Sequence, residues 1–156
     1  LKIVKEFLEE SFSRGNENKI ESLGIGKREM IEKWLNKYDI KNYTINDDHT
    51  IYVEGDVRLS DIPFGKFPDY IQFGDVIGSF RCYRCNLTTL KGCPTYVADN
   101  FDCEENNLTT LKYAPKHVNG SFYCRYNYLF NDNNIIKRFN IKVRNAELAY
   151  PQNIKQ

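Results

Sequence analysis

The sequence predicts an α+β chain built around a short parallel β-solenoid, with a helical and hairpin cap before it and a small helical cap after it. Three observations predict this. A 21-residue unit recurs between residues 57 and 130. Upstream of it, two stretches space their apolar residues as helices do, and a third alternates as a hairpin does. Downstream, one short apolar stretch follows the last unit. The chain therefore divides into an N-terminal helix pair plus hairpin (1–56), the repeats (57–130), and a C-terminal cap and tail (131–156).

Val4, Phe7, Leu8 and Phe12 fall on one face of a helix over residues 1–13. The run Arg14-Gly15-Asn16-Glu17-Asn18 breaks it, and Gly24-Ile25-Gly26 is a second break. Met30, Ile31, Trp34, Leu35 and Tyr38 predict a helix over 27–38. Tyr43-Thr44-Ile45 and Ile51-Tyr52-Val53 alternate around Asn46-Asp47-Asp48-His49-Thr50, the signature of a hairpin. These elements are expected to close the N-terminal end of the solenoid, because an open sheet edge invites pairing with other chains.

The repeat reads Phe80-Arg81-Cys82-Tyr83-Arg84-Cys85-Asn86-Leu87-Thr88-Thr89-Leu90, then Phe101-Asp102-Cys103-Glu104-Glu105-Asn106-Asn107-Leu108-Thr109-Thr110-Leu111, then Phe122-Tyr123-Cys124-Arg125-Tyr126-Asn127-Tyr128-Leu129. The same register aligns Pro94 with Pro115 and Val97 with Val118. A degenerate unit precedes them, with Val57 and Leu59 in the Phe and Cys places and Phe64 and Phe67 in the Leu places. The segment 69–76 then reads as extra residues. Phe-x-Cys alternates with period two, so each unit holds a short strand with one face buried. The Asn that follows turns the chain and can bond backbone groups that the next coil leaves open. Each coil buries its apolar residues only against its neighbours.

Beyond the repeats, Asp132 is placed to cap a short helix holding Ile135, Ile136 and Phe139, and Ile141 and Val143 suggest a last strand. Residues 144–156 read as loose.

With 156 residues the chain can bury roughly 70% of its unfolded surface, so folding needs neither metal nor disulfide. Lysines and arginines number 22 against 21 acids, and this balance excludes a strongly basic nucleic-acid binder and an acidic nucleic-acid mimic as whole-chain fields. No apolar run approaches the ~20 residues of a spanning helix, so no membrane is expected. Leu1-Lys2-Ile3-Val4-Lys5 leads into a charged helix, so no signal peptide is expected.

The unit resembles the leucine-rich repeat, L-x-x-L-x-L-x-x-N/C-x-L. Phe101, Cys103, Asn106 and Leu108 match its last four fixed places, as do Phe122, Cys124, Asn127 and Leu129. Cys85 stands where Asn is usual and is the accepted substitute. The narrower form F-x-C-x-x-N-x-L-T-x-L-x-G-C-P, carried here by Gly92-Cys93-Pro94 and echoed by Lys112-Tyr113-Ala114-Pro115, is similar to leucine-rich-repeat-like proteins of large tailed bacteriophages and some bacteria. The helix with Trp34 followed by the hairpin resembles a common front end of such phage chains. Bacterial ubiquitin-ligase effectors share a similar repeat but add a large catalytic domain, for which this chain has no room. The resemblance implies a leucine-rich-repeat-like fold and action in the cytoplasm of an infected bacterium.

Five cysteines raise metal or redox chemistry. Cys82-x-x-Cys85 has zinc-knuckle spacing, but no second pair exists, and Cys82, Cys103 and Cys124 share one repeat position, so buried small hydrophobes account for them. No metal and no cofactor are expected. His49 and His117 are isolated in expected turns or loops, and no P-loop, dinucleotide fingerprint or HExxH is present. Asp102 and Glu104 point outward from one strand and could act as an acid–base pair. The simpler expectation is a ladder of opposite charges across coils: Asp102 beside Arg81, Glu104 beside Tyr83 and Arg125, Glu105 beside Arg84.

The outward strand face is the candidate surface. It carries Arg58, Arg81, Tyr83, Arg84, Asp102, Glu104, Glu105, Tyr123, Arg125 and Tyr126. Tyr and Arg are enriched at binding hot spots, and open strand faces of repeat folds are where partners dock. The interleaved acids argue against single-stranded nucleic acid there. The expected function is thus non-enzymatic protein binding with no small-molecule substrate. With the phage resemblance, it becomes inhibition of a host bacterial protein, antiviral-defence proteins among the candidates. The alternatives are a virion structural or assembly component, and an enzyme using the Asp102–Glu104 row.

Overall fold

The computed structural model describes residues 26–129 and 134–147. They form a parallel β-solenoid of about four turns with two small helices. The expected helix over 1–13 and the capping role of Asp132 lie outside the described residues.

Helix α1 (Lys27–Lys37) buries Met30, Ile31, Trp34 and Leu35 on one face, with Glu29 in its first turn and Lys37 in its last, as the helix dipole favours. It ends in a Schellman motif. Asp39 takes a left-handed φ of 55°, its N–H donates to the Asn36 carbonyl at 3.2 Å, and Ile40 N–H donates to Leu35 O at 3.0 Å. Helix α2 (Ile135–Arg138) ends the same way, with Asn140 at φ 53° and Ile141 N–H on Ile136 O. Its N-cap is Asn134, whose side chain makes no capping bond.

Strands β1 (Tyr43–Ile45) and β2 (Ile51–Val53) pair antiparallel. The Arg28 guanidinium donates to Ile45 O at 2.8 Å and ties α1 to this hairpin. The hairpin does more than cover the end. β2 pairs parallel with β4 (Phe73–Val76), so it is also the first rung of the solenoid.

Two parallel ladders run along the molecule. One is β2, β4, β6 (Tyr96–Val97), then the first half of β8 (His117–Tyr123), then β9 (Lys142–Glu147). The other is β3 (Val57–Arg58), β5 (Phe80–Arg81), β7 (Phe101–Asp102), the second half of β8, and β9 again. The second ladder is the Phe-x-Cys strand of the repeat. The first corrects the sequence reading in three places. Phe73–Val76 is a strand and not merely inserted residues, His117 begins a strand and not a loop, and the last strand extends to Glu147, past the expected start of loose chain.

Phe80, Phe101 and Phe122 stack in the core, with ring centroids 5.9 and 5.1 Å apart. Trp34, 3% exposed, closes the N-terminal end of this column against Phe64, Phe67 and Phe73, with centroids 5.8 to 6.3 Å away.

Where the strands stop, buried side chains continue the pairing. Asn106 Oδ1 accepts the N–H groups of Cys85 and Leu87, each at 3.0 Å, while its Nδ2 donates to the carbonyls of Cys82, Cys103 and Glu104. Asn127 repeats this one coil later, accepting from Leu108 N–H and donating to Cys103, Cys124 and Arg125 carbonyls. Each Asn thus serves the preceding coil, the reverse of the expected direction. In the earlier coil Cys85 Sγ donates to Leu59 O at 2.9 Å, so thiol replaces amide with fewer bonds.

The turn before this slot takes a left-handed backbone in every coil: Asp61 (φ 64°), Arg84 (52°), Glu105 (52°) and Tyr126 (57°). At the opposite corner the coils approach so closely that a Cβ on Gly78 would stand 2.5 Å from the Gly55 carbonyl.

Two outcomes follow for urea unfolding. Asn106→Ala strands two buried N–H groups and should cost about 3 kcal/mol or more, with Asn106→Cys intermediate. Glu105→Val, forcing a β-branched residue into the left-handed region, should cost about 1 to 2 kcal/mol, whereas Glu105→Gly should hold or raise the midpoint.

Candidate functional site

The outward face of the β3–β5–β7–β8 ladder brings the sequence-predicted residues together. The parallel register sets Arg58 beside Arg81, Arg81 beside Asp102, and Asp102 beside Tyr123. Inward alternation leaves Phe80, Cys82, Phe101, Cys103, Phe122 and Cys124 buried, so their neighbours must point out. Arg58, Arg84 and Glu105 are exposed, Tyr126 is 39% exposed, and Arg81, Tyr83, Asp102, Glu104, Tyr123 and Arg125 are half-buried against one another.

The charge ladder exists, with two partners differing from expectation. Arg125 Nε donates to Glu104 Oε1 at 2.8 Å, as expected. Arg84 does not pair with Glu105; its Nε reaches Asp61 of the preceding coil at 2.8 Å. Arg81 does not pair with Asp102; its Nη1 lies 3.2 Å from Asp56 Oδ2, which also holds Arg58 at 3.2 Å. Both arginines thus reach back to an acid of the preceding coil rather than on to the next one. Arg84 also lies over the Tyr83 ring, 5.2 Å from its centroid.

Sequence reasoning missed Asp56. Its Oδ1 accepts Ser79 N–H at 2.9 Å, and this bond, followed by those from Arg58 and Arg81, holds its carboxyl below the usual range. It heads a corner ladder in which Ser79 Oγ accepts Asn100 N–H at 3.3 Å and Asn100 Oδ1 accepts Ser121 N–H at 2.8 Å. The available signal was a short polar residue before each Phe place: Asp56, Ser79, Asn100, Ser121.

Neither carboxylate of the considered acid–base row is idle. Asp102 Oδ1 accepts Glu104 N–H at 3.0 Å, and Glu104 is held by Arg125. Burial pushes the Asp102 carboxyl up against the bond from Glu104 N–H and the pull of Arg81, with the Glu104 and Glu105 charges adding to the rise. Burial also raises the thiols: Cys85 and Cys124 to about 12, Cys82 and Cys103 well above their ordinary value. All five cysteines are buried, and none is joined in a disulfide. Among the described residues no group of three or more His, Cys, Asp or Glu side chains is placed to hold a metal ion, and no helix is long and apolar enough to cross a membrane.

Beside Tyr126 opens a recess of about 520 Å³ lined by Glu105, Asn106, Asn107, Tyr126 and Tyr128. A second groove of about 540 Å³ lies on the other ladder, between Asp48, Tyr52, Asp75, Tyr113 and Lys116. Tyr113 there is exposed and left-handed (φ 68°), in the repeat place that Gly92 (φ 97°) fills one coil earlier.

Comparison with protein-family models, with curated proteins and with solved structures finds no match to this chain.

A raised Asp102 binds its proton more tightly in the folded state. Its share of stability is therefore present below the ordinary carboxylate value of 3.8 and is lost as pH rises through the higher folded value. Asp102→Asn, which can keep the bond to Glu104 N–H, should match wild type in urea midpoint at pH 3 and exceed it at pH 6. A wild type equal or superior at pH 6 would show that the Glu104 N–H bond and Arg81 together outweigh burial.

Proposed function

We propose that this chain is a non-enzymatic protein-binding module that docks a partner on the outward face of the β3–β5–β7–β8 ladder. One observation carries the reading: the side chains of that face are already held. Arg125 is locked to Glu104, Arg84 to Asp61 and the Tyr83 ring, and Arg81 to Asp56. A surface whose long side chains are ordered before contact spends less entropy on binding. Tyr83, Tyr123 and Tyr126 supply rigid amphipathic area between the pairs, as binding hot spots do. Asp102 and Glu104 serve as a turn acceptor and an ion-pair partner, roles that account for both without catalysis.

The resemblance of the Phe-x-Cys…Gly-Cys-Pro phrase to phage leucine-rich-repeat-like proteins supplies the biological side of the proposal. On that basis the chain is phage-encoded, acts in the cytoplasm of the infected bacterium, and inhibits a host protein, with antiviral-defence proteins as candidates.

The test is a tagged pull-down from bacterial lysate with wild type and Tyr83→Ala/Arg125→Ala/Tyr126→Ala, each checked for an unchanged circular-dichroism spectrum. A stoichiometric host protein lost by the triple variant supports docking on this face. The same protein retained by both moves the partner to another surface. Recovery with purified virions instead would turn the reading to a virion structural or assembly component.

A further inference from the structure

The groove on the first ladder opens where the sheet slips. Between Ile51 and Val53 the register of β2 against β4 shifts by one residue, so Gly74 and Asp75 together oppose Tyr52. Gly74 lines the groove beside Thr50. The backbone does not require glycine there: its φ is not left-handed, and an added Cβ would meet Thr50 Cβ at an ordinary 3.6 Å. The next two coils place Thr95 and Lys116 in the same row. The absent side chain therefore leaves room at the hairpin end of the groove without relieving any strain.

The donors around this end are spent inside the chain. Gln72 Nε2 donates to Phe73 O at 2.8 Å and to Cys93 O at 2.9 Å. Asn46 Nδ2 donates to Thr50 Oγ1 at 3.0 Å, and Thr50 Oγ1 donates to Asp48 Oδ1 at 2.6 Å. Acceptors are what they leave open. Among the described residues the amide oxygens of Asn46 and Gln72 and the carboxylate of Asp75 accept no hydrogen bond, and neither Asp48 nor Asp75 takes part in an ion pair. The cation lining the groove, Lys116, stands two coil steps from Gly74, roughly 10 Å, and its Nζ donates to Phe139 O at 3.1 Å.

We infer that the hairpin end of this groove receives an arginine side chain of a partner protein. A guanidinium carries donors only, arranged in one plane, with a positive charge. It matches open acceptors flanked by two carboxylates, and its flat face can lie on the half-buried Tyr52 ring. An ammonium brings the charge without the planar fork. A neutral hydroxyl ligand would need donors that this end has mostly spent. The groove runs on along the next two coils as far as Tyr113, which gives the peptide carrying the arginine a place to lie. A free amino acid would leave that length empty. No residue of the β3–β5–β7–β8 face enters the inference, so it stands or falls apart from docking there.

The full chain, labelled with nitrogen-15, is titrated at low ionic strength with acetyl-Gly-Gly-Arg-Gly-Gly-amide, with its citrulline and lysine counterparts, and with free arginine. The arginine peptide should shift the Gly74 and Asp75 amide resonances saturably. The citrulline peptide, which keeps the shape and loses the charge, should bind about ten-fold more weakly, and the lysine peptide and free arginine about three-fold more weakly. Asp75→Asn should weaken the arginine peptide about five-fold, whereas Glu105→Gln, the same charge change on the other face, should weaken it less than about two-fold. Gly74→Leu should abolish the shifts by filling the floor. Equal binding of the citrulline peptide, or an arginine peptide that leaves Gly74 and Asp75 unmoved, would overturn the inference. Equal binding of the lysine peptide would reduce the site to charge, and equal or tighter binding of free arginine would make it a small-molecule site; either overturns it. If Gly74→Leu unfolds the protein, Gly74→Thr, the residue of the next coil, replaces it and must still weaken the arginine peptide.

Discussion

No coil of this molecule can satisfy its own backbone. Most strands of the repeat are two residues long, too short to be stable as isolated pairs, and their N–H and C=O groups point along the solenoid axis to the next coil. Where strand pairing ends, the chain turns inward and its polar groups would be buried without partners. Asn106 and Asn127 take those places, each bonding its own turn and the coil before it. At the other corner Asp56, Ser79 and Asn100 serve the following coil instead, each accepting one backbone N–H from it. The fold therefore rests on coil-to-coil hydrogen bonds in which buried side chains stand in for backbone.

From this constraint the rest follows in order. Satisfying each coil from its neighbour requires equal spacing and register, so equivalent residues stack. Stacking puts Phe on Phe and Cys on Cys in a dry interior, and burial keeps those thiols protonated. It also puts a left-handed residue at the same place in every coil and sets alternate side chains outward in rows. Rows of charge one coil apart either pair or repel. On one face they pair almost throughout. On the other, among the described residues, Lys142 and Arg144 take part in no ion pair.

Much of this could be read in the residues. The Phe, Cys, Asn and Leu places recur at fixed spacing, and in the units from Phe80 to Leu129 all of them are buried, the turn residues Asn106 and Asn127 included. The face of α1 was legible because Met30, Ile31, Trp34 and Leu35 keep helical spacing. The second strand of each coil was not. In Tyr96–Val97 only Val recurs as an apolar mark, and two residues cannot display a period. The hairpin was legible as a hairpin, yet its role as first rung was not, because parallel pairing of Ile51–Val53 with Phe73–Val76 leaves no local trace. Asp102 does stand beside Arg81, but the ion pairs of Arg81 and Arg84 go to Asp56 and Asp61, because position in the repeat does not say which of the acids within reach a long side chain takes.

What the sequence determined by itself was the repeat, its inward and outward places, and the residues able to bond backbone at the turns. Those follow from local chemistry: alternation, apolar character and the short reach of Asn, Asp and Ser. Only the tertiary structure decided which coil each Asn serves and which carboxylate the arginines of the strand face find. These are matters of direction and distance between coils about 5 Å apart, and they are set by the register and turn geometry of the stacked whole.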